Sequence, residues 1–401
     1  MPRGALPRAA LAIGLLLAFA APARGATPSP PSLHAKAAIL VERDVGVTLF
    51  SRDADHQLPI ASTTKLMTAY VALQHAKLDR VLTVRAYTPA PDETVAGLAA
   101  GERLSVAQLL TAMLLPSGGD AAHTLAYDLG GGSISRFVGW MNSSAAALGM
   151  TGTSYSTPVG LDTRGNHSSP ADLALLAEAL MRNAYFAKTV DRPSATLSDG
   201  RHVTNTNDLV ADYGFVVGIK TGHTIGAGYC LVGAGSSSGA NFISVVLGDP
   251  SEATRDADTL KLLRYGIAVY HHVEAIHAGR VYATVPVVGR PNEHLALVAG
   301  RSLPLVLPRG GGGLDVYTKG VVTAAVGPLP AGTRLGTVVV QSGNRVLGSV
   351  PLVSRDPIAA PPPSRTRERV LEAGGLIGGV LLVVGCSLQV MFRRRRGWGD
   401  R

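Results

Sequence analysis

Two short motifs in this 401-residue sequence carry side chains that could perform nucleophilic catalysis. The first, Ser62-Thr63-Thr64-Lys65, places a lysine three residues after a serine, so on a helix the two side chains face the same way. A serine hydroxyl becomes an effective nucleophile only when a base lies within hydrogen-bond reach. Lys65 is therefore predicted to be the base that activates Ser62.

The second motif supplies a cation that could make Lys65 a usable base. Lysine accepts a proton near neutral pH only if its pKa is lowered, which burial or a neighbouring cation can achieve. Lys220 stands in Gly218-Ile219-Lys220-Thr221-Gly222-His223-Thr224, where glycines are typical of a strand that a ligand approaches closely. Because only seven lysines occur in the chain, we interpret these two as parts of one site.

Periodicity and capping signals predict the elements that hold the motifs. Residues 37–41 and 47–50 form a hairpin signature, and the helix that follows has Ser62 and Thr63 as candidate N-caps. Further helices are expected at 106–115, 120–129, 134–148 and 170–181, and strands at 216–221, 229–234 and 241–247. This order predicts an α+β fold in which helices flank an antiparallel sheet.

Composition divides the chain further. We place the main domain at residues 33–277 and a small all-β domain at residues 278–356, because the latter is rich in β-branched residues and in turn signals. Its strands are expected at 281–288, 295–298, 321–326, 337–340 and 346–352. Residues 357–372 include three consecutive prolines and are predicted to be a stiff spacer.

The formal net charge of +9 is concentrated at the two ends of the chain. The body between them is nearly neutral, which argues against a nucleic-acid partner. Residues 1–25 have the basic start, apolar run and small residues of a signal peptide. Residues 373–392 carry no charge and are long enough for a transmembrane helix, and the basic tail at 393–401 is predicted to stay cytoplasmic. The expected localisation is the cell membrane, with an exported body and a single C-terminal span.

Two other clusters carry less chemistry. His271, His272, Glu274 and His277 have residue types that bind metals, but their position at the expected end of a helix favours a solvated surface over a metal site. Residues 310–313 are a glycine run without the lysine of a phosphate-binding loop, which favours a flexible connection.

The catalytic motifs together resemble one family, the D-alanyl-D-alanine carboxypeptidases, which are low-molecular-weight penicillin-binding proteins. The resemblance extends from about residue 37 to residue 269 and includes Gly160-Leu161-Asp162 and Asn205-Thr206-Asn207. It implies a penicillin-binding, β-lactamase-like transpeptidase domain with a flanked antiparallel sheet, a helical subdomain and a site in the cleft between them. It implies no cofactor and no metal.

The resemblance also implies a role for each matching residue. Ser62 would be acylated by the penultimate D-Ala of a peptidoglycan stem peptide, and β-lactams would acylate it as covalent inhibitors. The catalytic residues would be Ser62, Lys65 as its base, and Ser117. The substrate-binding residues would be Lys220 and Thr221 at the terminal carboxylate, Gly222, and His223, whose N–H joins that of Ser62 in an oxyanion hole.

One motif departs from the family pattern. The family has Ser-x-Asn, whereas this chain has Ser117-Gly118-Gly119. Ser117 can still relay a proton between Lys65 and the leaving amine. Asp120 follows directly, and its carboxylate could substitute for the asparagine if the loop shifts by one residue, although in the family pattern an Asp at this place is structural. An asparagine introduced at position 119 is expected to add hydrogen bonds toward Lys65 and the substrate and so to raise the acylation rate.

Three functions remain open from the sequence. The first is an active carboxypeptidase that trims stem pentapeptides. The second is a β-lactamase on the same fold, which is disfavoured because residues 160–172 contain no glutamate to activate a water molecule for release. The third is a cell-wall-binding or regulatory protein that keeps the pocket without turnover, as the glycine at position 119 would allow.

Overall fold

The computed structural model describes residues 29–91, 93–237, 239–309 and 313–360. The described residues form two compact units, one comprising residues 29–273 with 306–309 and the other residues 274–305 with 313–360. Each unit has its own buried apolar core. The first unit contains all seven residues assigned to the site from sequence.

An antiparallel sheet forms the centre of the first unit. Its strands are β1 (Ala37–Glu42), β2 (Val47–Arg52), β7 (Val216–Thr224), β8 (Gly228–Ser237) and β9 (Ala240–Asp249), in the order β2-β1-β9-β8-β7. Ile39 and Val41 join the core on one face, whereas Ala38 and Leu40 join the core on the other. Burial of both faces explains why residues 37–41 of β1 are an uninterrupted apolar run before the buried Glu42. Strand β7, which carries Lys220, lies at the edge.

The first unit also contains helices, some of which cover the two faces of this sheet. They are α1 (Lys65–His75), α2 (Val106–Leu114), α3 (Gly119–Leu129), α4 (Ile134–Ala147), α5 (Pro170–Met181), α6 (Ala184–Val190), α7 (Leu209–Asp212) and α8 (Glu252–Val269). Helix α8 packs Leu262 and Leu263 on one face, and α5 packs Leu173 and Leu176 on the other. Helices α1 to α4 contact one another and form the helical part of the unit. The predicted α+β class is therefore confirmed.

Two short hairpins complete the first unit. They pair β3 (Val81–Thr83) with β4 (Arg103–Ser105) and β5 (Ser194–Thr196) with β6 (His202–Thr204). Ser105 ends β4 and also begins α2, because its hydroxyl accepts a hydrogen bond from Gln108 N while the Gln108 side chain accepts one from Ser105 N. This capping box sets where the helix that leads to Ser117 begins.

The second unit is all β apart from its turns. Its strands are β11 (Val281–Val287), β12 (Arg290–Ala299), β14 (Asp315–Lys319), β15 (Arg334–Ser342) and β16 (Arg345–Ser354), which form an antiparallel sheet in the order β11-β12-β16-β15-β14. Strands β10 (Tyr270–Ile276) and β13 (Leu303–Pro308) pair as a separate two-stranded sheet. Leu297, Val338 and Leu352 are among the fully buried residues of this core.

Two local predictions are wrong in this part of the chain. Residues 321–326 form no strand, and Ala325 makes only an isolated bridge to Val287. A β-branched run becomes a strand only where a sheet edge accepts it, and here β14 occupies the edge beside β15. His271, His272 and Glu274 lie in β10 rather than at a helix end, because the chain becomes extended at Tyr270.

Several predicted segments lie outside the described residues. They are the signal peptide at 1–25, most of the spacer (361–372), the span at 373–392 and the basic tail at 393–401. None of the helices within the described ranges is both apolar and long enough to cross a bilayer. Those same ranges contain no group of three or more His, Cys, Asp or Glu side chains that could hold a metal ion.

Candidate active site

Ser62 lies in a single 3₁₀ turn, Ala61–Thr64, that leads directly into α1. The N-cap of α1 is Thr64, and its side chain accepts no capping hydrogen bond. The capping role predicted for Ser62 and Thr63 is therefore wrong, because the 3₁₀ turn moves the start of the helix to Lys65. The hydroxyl of Ser62 is left available to its neighbour three residues on.

Lys65 is that neighbour. Its Nζ donates hydrogen bonds to Ser62 Oγ at 2.9 Å and to the carbonyl oxygen of Val159 at 2.7 Å. Burial lowers the pKa of Lys65 to about 8, against the opposing effect of the carboxylates of Glu93 and Asp120. The side chain is fully buried, so desolvation rather than a second cation is the main cause. A fraction of the Lys65 amines is thus neutral near pH 7 and can take a proton from Ser62.

Lys220 enters the same site from β7. Its side chain is buried, and Nζ donates a hydrogen bond to the carbonyl oxygen of Thr221 at 3.0 Å. Its pKa is well below the usual value because of burial and then because of the charges of Lys65 and Arg255. The two motif lysines therefore lie within electrostatic reach of each other. Next in the strand, the Thr221 hydroxyl lies 2.7 Å from that of Thr206, in the middle of the 205–207 motif.

Two glycines allow the chain to close around the Ser62 turn. A Cβ atom on Gly222 would lie 3.1 Å from both Ile60 O and Ser62 N. Gly160 has a φ of +96°, and a Cβ atom there would lie 2.6 Å from the carbonyl carbon of Ala61. Larger residues at either position would push the turn away, which gives a steric reason for glycine in both motifs.

The end of β7 forms an exposed rim beside the site. His223 is exposed, and its ring stacks on that of Tyr229 with centroids 4.0 Å apart. Asp162 accepts hydrogen bonds from Thr224 Oγ1 at 2.7 Å and from Gly226 N at 2.9 Å. The carboxylate of Asp162 therefore fastens the loop after Gly160 to the turn after His223.

Ser117 lies between α2 and α3 in an unusual conformation. Its φ is +64°, a left-handed value that a residue with a side chain adopts only at a cost. Its hydroxyl is buried and has no hydrogen-bond partner in the described part of the chain. An unpaired buried hydroxyl on a strained backbone is typical of a functional position rather than of a core serine.

Comparison with known proteins identifies the family. The sequence pattern of peptidase family S11, D-alanyl-D-alanine carboxypeptidase, matches residues 24–251, which is more than half of the chain. The chain belongs to this family. The D-alanyl-D-alanine carboxypeptidase DacA of Escherichia coli K12 is 32% identical over 340 residues, which cover 81% of this chain and 84% of that protein. The enzyme of the same name from Streptomyces sp. K15 is 35% identical over 278 residues, or 63% of this chain and 94% of the relative.

Solved structures agree with the sequence comparison. Penicillin-binding protein 5 from Haemophilus influenzae has a TM-score of 0.69 at 27% identity and covers 83% of this chain and 99% of its own. The Streptomyces K15 DD-transpeptidase has a TM-score of 0.57 at 33% identity and covers 60% of this chain and all of its own. The family resemblance, the serine-type enzyme class and the carboxypeptidase function predicted from sequence are confirmed.

This carboxypeptidase lacks the asparagine of the family's Ser-x-Asn motif, and Asp120 does not take its place. Its carboxylate accepts hydrogen bonds from the backbone N–H groups of Ala96, Leu98 and Ala121 at 2.8 to 2.9 Å. These bonds hold the 94–98 segment against the start of α3. Asp120 therefore has a structural role, as the family pattern implies.

The place of the missing asparagine is nevertheless filled. A side chain added at Gly119 would collide with the carboxylate of Glu93. This revises the expectation that asparagine at position 119 would speed acylation, because that expectation assumed empty space. Sequence reasoning did not single out Glu93, which lies in a segment without helical or strand periodicity. The only signal was indirect, namely the absence of a side chain at position 119.

Proposed function

We propose that this protein removes the terminal D-alanine from peptidoglycan stem pentapeptides through an acyl-enzyme on Ser62. The observation that carries the proposal is the 2.9 Å hydrogen bond between Lys65 Nζ and Ser62 Oγ, made by a lysine that is fully buried. Family membership supplies the reaction class, and this contact supplies a nucleophile with its base. β-Lactams are expected to acylate the same hydroxyl and so to inhibit the enzyme.

The geometry supports a two-step reaction. Neutral Lys65 takes the proton of Ser62 while Oγ attacks the carbonyl carbon of the penultimate D-Ala, and N–H groups of Ser62 and His223 stabilise the oxyanion. The C–N bond then breaks, and the unpaired hydroxyl of Ser117 is placed to relay the proton to the leaving amine. Water attacks the acyl-enzyme in the second step and regenerates Ser62.

A gel-based assay with the purified protein tests this function. Durable labelling by a fluorescent penicillin, together with release of D-Ala from a stem pentapeptide, is the expected result. Rapid loss of the label would instead indicate a β-lactamase. Label without release of D-Ala would indicate a cell-wall-binding protein that keeps the pocket without turnover.

Lys220 is proposed to bind the terminal carboxylate of the substrate. The Lys220→Gln variant is expected to lose activity on peptides with a free C-terminus more than on amidated peptides. The expected difference is roughly 1.5 to 3 kcal/mol, that of a hydrogen bond between charged groups. Values of kcat/KM for the matched peptide pair measure it, and the amidated peptide controls for any general damage to the site. Equal losses on both peptides would assign Lys220 another role, such as tuning Lys65.

We also propose that the catalytic body is exported and held at the cell membrane by residues 373–392. The support is the sequence alone, namely the signal-peptide pattern of residues 1–25 and the uncharged run followed by a basic tail. Cell fractionation tests the proposal. The full chain should sediment with membranes. A chain that ends at residue 364 should still be exported, but it should no longer sediment with membranes.

A further inference from the structure

Gly119 leaves space for a side chain from elsewhere, and Glu93 takes it. A Cβ atom built on Gly119 would collide with Glu93 Oε1 and would lie 2.8 Å from Glu93 Cδ. Gly119 is the first residue of α3, directly after the loop that carries Ser117. The volume that an asparagine would occupy in the Ser-x-Asn motif therefore holds a carboxylate.

The Glu93 carboxylate is held in place by several hydrogen bonds. The Tyr87 hydroxyl lies 2.7 Å from both oxygens, and Ala90 N donates to Oε2 at 3.0 Å. The next residue, Thr94, donates from its hydroxyl to the carbonyl oxygen of Ser117 at 2.9 Å. These contacts hold the Glu93 carboxylate in place and attach the segment that carries it to the Ser117 loop.

Glu93 also acts electrostatically on Lys65. Its charge raises the pKa of Lys65, as that of Asp120 does, against the larger effect of burial. The two carboxylates differ in what else they bind. Asp120 is bonded to three backbone N–H groups, whereas Oε1 of Glu93, the atom that faces Gly119, is bonded within the described chain only to Tyr87. Glu93 keeps a lone pair that can accept another hydrogen bond.

We propose that Glu93 is the positioning residue for Lys65 in place of the family's asparagine, stabilising the ammonium that forms when Lys65 takes the proton of Ser62. In that step the O–H bond of Ser62 breaks, the proton bonds to Lys65 Nζ, and Oγ bonds to the substrate carbonyl carbon as the carbonyl electrons move to oxygen. Glu93 exchanges no proton and forms no covalent bond. Its contribution is attraction between opposite charges beside a lysine that is fully buried. The inference rests on the proposed role of Lys65 as the base.

The surroundings of this pair determine the expected pH dependence. The titratable side chains that face the pair from neighbouring elements are Tyr87, Asp120, His123 and Lys220. Burial lowers the pKa of His123, and burial together with the charges of Lys65 and Arg255 lowers that of Lys220. Because Glu93 raises the pKa of Lys65, removing its charge should lower that pKa, and the acylation rate should begin to rise at a lower pH.

The first test is the pH profile of acylation by penicillin in the Glu93→Gln variant, which keeps the shape and removes the charge. We expect the acid limb of the profile to move down by about one pH unit and the plateau rate to fall roughly tenfold. Asp79→Asn, which removes an exposed carboxylate at the surface, is the matched control and should change neither quantity. A merely structural role for Glu93 would lower the rate or the stability without moving the limb.

The possible outcomes distinguish a failure of this inference from a failure of the proposed carboxypeptidase function. Suppose that Lys65→Ala abolishes the acid limb of the pH profile, whereas Glu93→Gln leaves the limb at its wild-type pH. That result would overturn the inference and leave the proposed function intact. An unchanged acylation rate in Lys65→Ala would overturn both. Thermal unfolding of each variant identifies any that fails to fold.

A swap of the two side chains gives an independent test. Gly119→Asn alone is expected to slow acylation, because the new side chain meets the Glu93 carboxylate. Glu93→Ala alone should also be slow, whereas Glu93→Ala combined with Gly119→Asn should be roughly tenfold faster than Glu93→Ala. A double variant no faster than Glu93→Ala, or a Gly119→Asn single variant faster than the wild type, would show that the two positions are not equivalent.

Discussion

The Ser62→Ala variant is expected to lose all covalent labelling by penicillin and all release of D-Ala above background. The reason is that the substitution removes the oxygen that forms the acyl bond. The 3₁₀ turn itself should persist, because no side-chain capping hydrogen bond holds it. Residual binding of substrate can remain, because Lys220 and Thr221 are untouched. Gel labelling and a D-Ala assay on the same preparation measure the two losses.

Ser198 provides a matched control for that variant. It is an exposed serine in the turn between β5 and β6, so Ser198→Ala should label and turn over as the wild type does. Labelling that persists in Ser62→Ala at the wild-type level would mean that another residue is the nucleophile. The loss of labelling is informative only if the variant unfolds at the wild-type temperature, which the removal of one oxygen atom should allow.

Loss of the Lys65 amine is expected to slow acylation by two or more orders of magnitude, as is usual when a general base is removed. Lys65→Ala removes the base and leaves a cavity, whereas Lys65→Met removes the base and fills most of the space. Both should be slow in single-turnover labelling with a fluorescent penicillin. The methionine variant shows how much of the loss comes from the missing amine rather than from disturbed packing.

Lys77→Ala is the corresponding control, because Lys77 is an exposed lysine just beyond the end of the same helix. It should acylate at the wild-type rate. A Lys65→Met variant that acylates as fast as Lys77→Ala would show that Ser62 is activated by some other group. The hydrogen bond between Lys65 and Ser62 would then be a structural contact only.

The contact between Lys65 and Ser62 was predictable because it is local in sequence. A spacing of three residues brought Lys65 to Ser62 whether the chain began a regular helix or, as it does, a 3₁₀ turn followed by α1. A lowered pKa for Lys65 was also predicted, with burial or a neighbouring cation as the possible causes, and the sequence could not decide between the two. A sequence does not show that the Lys65 side chain is completely buried, and burial acts more strongly than any neighbouring charge.

The parts that were missed depend on contacts between distant segments. Glu93 reaches Gly119 only because Thr94 and Asp120 fasten an irregular segment to the catalytic loop, and no periodicity marks such a segment. The same limit applies to the second unit, where residues 321–326 have strand composition but β14 takes the sheet edge. Local preference fixes which elements are possible, and the partners available decide which of them form.

Complete burial of the Lys65 amine also couples folding of the chain to proton release. In the unfolded chain this amine has its ordinary pKa of 10.5, whereas in the folded protein the pKa is about 8. Below pH 8 both states carry the proton, and the folded state bears the full cost of enclosing a charge, on the order of 3 kcal/mol. Between these two pKa values the unfolded state binds more protons, so the free energy of unfolding should increase as the pH rises. The residue proposed as the catalytic base is thus one that makes the fold less stable near neutral pH.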